Sequence, residues 1–253
     1  MLSPGATIGI LGGGQLGRMT AMAAARLGYR AHVFATEPDS PAAQVSAHAT
    51  VASWDDAVAI ARFAERIDVA TFEFENIPAE AVREVARLKP VMPRPEILEI
   101  TQDRIREKDF LNRIGVATTG YREIADEAAL PEALATLAAS PGGRGVLKTA
   151  RMGYDGKGQV NVDRDMPPGL AWQQMGARRG ILEHFVDFAC EISVVVARGA
   201  DGGVAGYVPV ENRHVHHILD TTLAPATVTP EISQPPSTSC CSRFPPERKN
   251  GSW

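Results

Sequence analysis

Cysteine is scarce, with three in 253 residues, and two of them, Cys240 and Cys241, are adjacent. That excludes a disulfide framework and points to a reducing compartment, the cytoplasm. Cys190 lies in an apolar stretch and reads as a small buried hydrophobe. No apolar run reaches the roughly 18 residues of a membrane span. The basic excess of a nucleic-acid binder is missing too, with 26 Lys and Arg against 30 Asp and Glu. No basic segment precedes the first apolar stretch, which therefore reads as a core strand and not as a secretion signal. What is present is a hydrophobic content of 44%, enough for a sizeable buried core.

Strands and helices alternate at first. Residues 7–11 (TIGIL), 30–35 (RAHVFA) and the start of "DVATFEFENI" read as strands. Gln15 to Leu27, Trp54 to Glu65 and "PAEAVREVARL" read as helices, the last with Pro78 at its start. "EPDSPAAQ" reads as a turn leading to a short helix. This alternation implies a parallel sheet covered on both faces. After about residue 95 the pattern changes. "PRPEILEITQDRIREKDFLNRIG" reads as one long helical stretch, and "GVLKTA", "GILEHFV", "CEISVVVARG" and "GVAGYVPVEN" as strands. The expected fold class is α/β: a Rossmann-like parallel sheet over residues 1–95, then an α+β unit over 96–228. Residues 229–253 are rich in proline and serine and lack apolar periodicity, so disorder is expected there.

Two glycine loops carry the chemistry. Gly12, Gly14 and Gly17 have the G-x-G-x-x-G spacing between a strand and a helix, with Glu37 about 20 residues on, where a ribose-binding acid would stand. Amides at a helix N-terminus attract anions. A ligand-free tight turn, a phosphate site and a dinucleotide site all fit that spacing. The second loop, "LKTARMGYDGKGQ", places Lys148 at a strand end before Gly153, Tyr154, Asp155, Gly156, Lys157, Gly158 and Gln159. Such a flap can lay backbone amides over a triphosphate, with lysines as point charges. It is not a Walker A loop, since no Gly-Lys-Ser/Thr ending and helix follow. A plain exposed hairpin is the alternative. His214, His216 and His217 invite a metal reading, but chance histidines on a strand or loop fit as well, and no metal ligand is assigned.

"GGGQLGRM", "FEFENI", "QDR…EK", "LKTARMGYDGKGQ", "ILEHFV…CEISVVVAR" and "YVPVENRH", in that order, resemble one family. It is the ATPase subunit of phosphoribosylaminoimidazole carboxylase, or 5-(carboxyamino)imidazole ribonucleotide synthetase, of the ATP-grasp superfamily. The resemblance covers residues 5 to about 228. It implies a pre-ATP-grasp domain followed by an ATP-grasp domain. The implied reaction is ATP- and bicarbonate-dependent carboxylation of aminoimidazole ribonucleotide in purine biosynthesis, through carboxyphosphate. It implies ATP contacts at Arg104, Lys148, Gly153 to Gln159, Glu183, His184, Phe185, Val186, Glu191 and His214. It implies a ribonucleotide site at Gly14, Gln15, Leu16 and Glu73, with Tyr154, Asp155 and Lys157 of the flap at the reacting groups. Arg104 paired with Glu107 on a solvated helix face, and Glu73 capping a helix, are the corresponding structural readings.

The resemblance also implies a homodimer, and Mg²⁺ held by carboxylates in a further C-terminal part. In this sequence the composition changes abruptly near "LAPATVTPEIS", as a reading-frame shift or gene-model error would produce. Only Glu231 and Glu247 follow "VENRH" as glutamates, so the expectation is an incomplete metal site and no ribonucleotide-stimulated turnover. A non-catalytic nucleotide-binding remnant and an NAD-dependent oxidoreductase using the first loop are the competing readings.

Overall fold

The computed structural model describes residues 2–153, 156–176, 178–199 and 201–229. The chain divides into two compact units between Glu107 and Lys108, later than the boundary at residue 95 read from the sequence.

The first unit is built on four parallel strands: β1 (Thr7–Leu11), β2 (Arg30–Ala35), β3 (His48–Val51) and β4 (Val69–Phe72). Their order is β3-β2-β1-β4. The helices are α1 (Gln15–Arg26), α2 (Ala57–Glu65), α3 (Ala79–Leu88) and α4 (Pro95–Thr101). Both faces of the sheet are covered, as β2 shows, with every residue after Arg30 buried. Ile10, Ala31 and Val33 pack with Ala21 of α1. Leu11 and Phe34 pack on the other face with Ile60 and Phe63 of α2 and Val82 and Val85 of α3. Continuous apolar runs suit strands buried on two sides.

Helix α2 begins at Ala57 and not at Trp54, because the Asp56 carboxylate accepts the Ala59 N–H at 2.9 Å and sets the start. The expected single helix after residue 95 is two, α4 and α5 (Arg104–Arg113). The break is a cap: Asp103 Oδ1 accepts the N–H groups of Ile105 and Arg106 at 3.1 and 3.2 Å.

In the second unit a four-stranded antiparallel sheet has the order β5-β8-β6-β7. Its strands are β5 (Tyr121–Ile124), β6 (Arg144–Thr149), β7 (Gln159–Asp163) and β8 (Gly180–His184). Helices α6 (Leu130–Ala135) and α7 (Pro168–Met175) cover one face, where Ile124, Leu147, Val162 and Leu182 form the core. The alternation of a strand then puts Tyr121, Val146, Lys148, Gln159 and Glu183 on the opposite face. Five further strands follow: β9 (Glu191–Ser193), β10 (Val196–Arg198), β11 (Val204–Gly206), β12 (Val210–Val215) and β13 (Ile218–Leu223). They form a β10-β11 hairpin and a β13-β12-β9 sheet, so each of the two last apolar runs is split between two strands. Cys190, expected to be buried, is exposed, because it precedes a strand that packs on no described core. Among the described residues, Pro209 is the one buried aliphatic or aromatic side chain after Leu182.

Candidate functional site

In the first unit the neighbouring strands β1 and β4 bring the first glycine loop and Glu73 together. The Gly14 N–H donates to Glu73 Oε1 at 2.8 Å, and the Gly17 N–H donates to Oε2 at 2.6 Å. One carboxylate thus spans the N-terminus of α1 and occupies the position a helix dipole offers to an anion. The glycines are explained by this contact. Gly12 has φ +112°, and a Cβ there would lie 2.3 Å from Glu73 Cγ. A Cβ on Gly14 would lie 2.7 Å from Glu73 Oε1. Gln15 and Leu16 are exposed on the first turn of α1. The helix-capping alternative for Glu73 is therefore realised in the structure.

In the second unit Lys148 and Glu183 are diagonal neighbours across β6 and β8. Lys148 Nζ donates to Glu183 Oε2 at 2.7 Å. Lys108 of α5, which the sequence did not single out, reaches the other oxygen, Oε1, at 3.2 Å. Glu183 is 9% exposed. Burial pushes its carboxyl up, but hydrogen bonds and charge from Lys148 and Lys108 outweigh this and hold it below the ordinary carboxylate range. Two cations share one anion, so these three side chains together carry one positive charge.

Gln159 pairs with Lys148 in the β6–β7 register. Gln159 Nε2 lies 3.4 Å from Nδ1 of His217, one of the three histidines weighed for a metal. His216 and His217 form the two-residue turn between β12 and β13, both with positive φ, 52° and 66°. Such turns favour Asn and Gly, so two histidines there are under backbone strain. Gly156 and Gly158 flank exposed Lys157 with φ of +76° and +69°. Gly158 returns the flap to the sheet, its carbonyl accepting the Thr149 N–H at 2.8 Å. Gly153 lies at the start of this loop, whereas Tyr154 and Asp155 lie outside the described residues.

The segment after β8 is held by its neighbours. The His184 N–H donates to the Gly120 carbonyl at 2.8 Å, and the Phe185 N–H to the Arg144 carbonyl at 3.1 Å. Thr119 Oγ1 donates to the His184 carbonyl at 2.9 Å. The Arg144 guanidinium stands over the Phe185 ring at 4.0 Å, and Val186 is half exposed. Glu191 and His214 meet across β9 and β12, with Glu191 Oε2 3.4 Å from His214 Nδ1. Arg104 opens α5, half-buried, one turn before Lys108. Among the described residues there is no group of three or more His, Cys, Asp or Glu side chains placed to hold a metal. No helix among them is long and apolar enough to cross a membrane.

A glycine flap beside a Lys–Glu–Lys cluster follows a parallel α/β unit, and the family models recognise that order. The ribonucleotide synthetase preATP-grasp domain matches residues 5–102, and the ATP-grasp domain matches residues 109–241. The chain belongs to the ATP-grasp family. Within it, the chain is similar to N5-carboxyaminoimidazole ribonucleotide synthases. The Brucella melitensis protein is 45% identical over 92% of this chain and 64% of its own length. The Pseudomonas aeruginosa protein is 38% identical over 86% of this chain and 59% of its own. An N5-carboxyaminoimidazole ribonucleotide synthetase solved as its ADP complex superposes with a TM-score of 0.86. It is 40% identical, over 92% of this chain and 61% of that one. The Aspergillus clavatus enzyme, in complex with ADP and 5-aminoimidazole ribonucleotide, has a TM-score of 0.81 at 26% identity, over 95% of this chain and 62% of that one. The chain thus spans less than two thirds of the relatives it matches.

Proposed function

We propose that this chain binds ATP on the polar face of the second unit's sheet and aminoimidazole ribonucleotide at the first loop. The reaction it serves is the ATP- and bicarbonate-dependent carboxylation of that ribonucleotide to 5-(carboxyamino)imidazole ribonucleotide in purine biosynthesis. The observation that carries this reading is the Lys148–Glu183–Lys108 cluster beside the flap. Phosphoryl transfer depends on positioning and on neutralising oxygen charge more than on a protein nucleophile.

In this reading Lys148 and Lys157, with the amides of Gly153 to Gln159, face the phosphates. Arg104 adds a further cation. His184, Phe185 and Val186 offer main-chain groups to the base, and Glu191 with His214 takes the ribose hydroxyls. Gly14, Gln15, Leu16 and Glu73 receive the ribonucleotide. A preATP-grasp domain over 1–95, an ATP-grasp domain over 96–228, a cytoplasmic location and a homodimer belong to the same reading.

The NAD alternative needs a pyrophosphate at the N-terminus of α1, where the Glu73 carboxylate already bonds the Gly14 and Gly17 amides. Two anions in one seat repel, which disfavours any phosphate there, whereas a ribonucleotide can present its neutral imidazole amine to Glu73 and keep its phosphate out of that seat. Calorimetry of the full chain tests the choice. Saturable ADP binding, with no NADH binding in a fluorescence titration, is expected. Saturable NADH binding without competition from ATP, and no ADP binding, would overturn the reading.

A further inference from the structure

We propose that Lys108 is a positioning residue of the nucleotide site, holding Glu183 so that Lys148 keeps its charge for phosphate oxygens. The inference rests on the reading of the second unit as an ATP site, and it assigns a role to a side chain outside the expected contact set.

Each oxygen of the Glu183 carboxylate takes one ammonium: Oε1 from Lys108 at 3.2 Å and Oε2 from Lys148 at 2.7 Å. Lys108 is 17% exposed, Lys148 28% and Glu183 9%. A lysine this buried in a helix as charged as "RIREKDFLNR" is not a solvated surface group. Its position is fixed from two sides. Besides Glu183, its ammonium stands 5.8 Å from the centroid of the Tyr121 ring. The Tyr121 hydroxyl in turn donates to Asp109 Oδ1 at 2.5 Å and accepts from Asn112 Nδ2 at 3.4 Å, both on α5. Tyr121 is also paired with Glu183 in the β5–β8 register. Helix α5 and strand β5 thus lock Lys108 against the carboxylate.

Without Lys108, Lys148 and Glu183 form a closed neutral pair. An incoming phosphate would then have to compete with Glu183 for Lys148 and would meet an unshared carboxylate. With Lys108 present, the carboxylate is divided between two cations and the cluster as a whole is positive. The role is electrostatic, so it separates phosphate-bearing from phosphate-free ligands.

The experiment compares ADP and adenosine binding to the full chain by calorimetry, at low and high salt, for the native chain, Lys108→Met and Lys108→Arg. Lys108→Met is expected to weaken ADP binding about tenfold, the scale of one charge-assisted contact. Adenosine affinity should stay within about twofold. Lys108→Arg should restore ADP binding, and the salt dependence of ADP binding should be shallower in Lys108→Met. Thermal melts accompany each variant, and Lys108→Gln takes the place of Lys108→Met if the latter does not fold. Unchanged ADP affinity in the neutral variant, or equal losses for ADP and adenosine, would overturn the proposal. A native chain that binds no ADP would instead overturn the nucleotide-site reading on which it rests.

Discussion

Glu73 and Glu183 stand beside the two glycine loops, and their partners differ. Glu73 is bound by two neutral amides at the start of α1. Glu183 is bound by two ammonium groups. The first arrangement keeps a negative charge at the loop and fills the place an anion would take. The second neutralises its carboxylate and keeps one cation over. The same residue type at the same kind of loop therefore has opposite consequences. The G-x-G-x-x-G loop, which looks like a phosphate cradle, has its Gly14 and Gly17 amides taken by its own chain. In the proposed function the phosphate-attracting face is that of the second unit.

Removing the carboxylates breaks the comparison most directly. Glu183→Ala leaves two partly buried lysines facing each other, and a loss of about 3–5 kcal/mol in second-unit stability is expected. Chemical denaturation followed in that unit checks it, and a change below 1 kcal/mol or so would show that the cluster is well solvated.

Acid should separate the two units next. His32 is 1% exposed, with Nε2 2.8 Å from Thr50 Oγ1 and Nδ1 without a partner. Burial, then His48 and Arg66, lower its pKa from 6.5 to about 4. The unfolded chain takes up the proton first as the pH falls. Stability is therefore full above 6.5 and is lost progressively down to about 4. A loss of about 3 kcal/mol in the first unit is expected over that window. A His32 ring that titrates near 6.5 in the NMR spectrum would contradict this.

The smallest effect is expected for Glu73→Gln. The amide keeps one acceptor oxygen for two N–H donors, so one donor at the start of α1 loses its partner. About 1 kcal/mol of first-unit stability should go, read from the same denaturation curves.

Much of this fold was legible. Strands β1, β2 and β4 are apolar runs with glycine or acidic stops, and α1 and α3 carry clear helical periodicity. The edge strand β3 was not. β3 (HATV) mixes exposed and half-buried positions and carries no two-fold pattern. The β5 strand, the α6 and α7 helices and β13 were also missed, being short or polar. The break in the helix after residue 95 was readable in principle, since Asp103 followed by a charged helix is a cap signal. Lys148 and Glu183 were singled out and do meet. Lys108 was hidden because a lysine amid "REKD" reads as a solvated face, although it lies one turn after Arg104 in "QDR…EK". His217 was noted for a metal, but its contact to Gln159 was not legible, because it comes from a hairpin turn 58 residues away.

The claim that phosphates are held by the second unit and not by the first glycine loop has one direct test. It is the ADP dissociation constant of Gly14→Val beside that of Lys148→Ala, measured by calorimetry on full chains. Gly14→Val forces a side chain onto Glu73 Oε1 and disrupts the first loop. Lys148→Ala removes a charge-assisted contact worth about 1.5–3 kcal/mol. The account predicts unchanged ADP affinity for Gly14→Val and at least a roughly tenfold loss for Lys148→Ala. Loss of ADP binding in Gly14→Val, with the second unit still folded and Lys148→Ala unaffected, would contradict it.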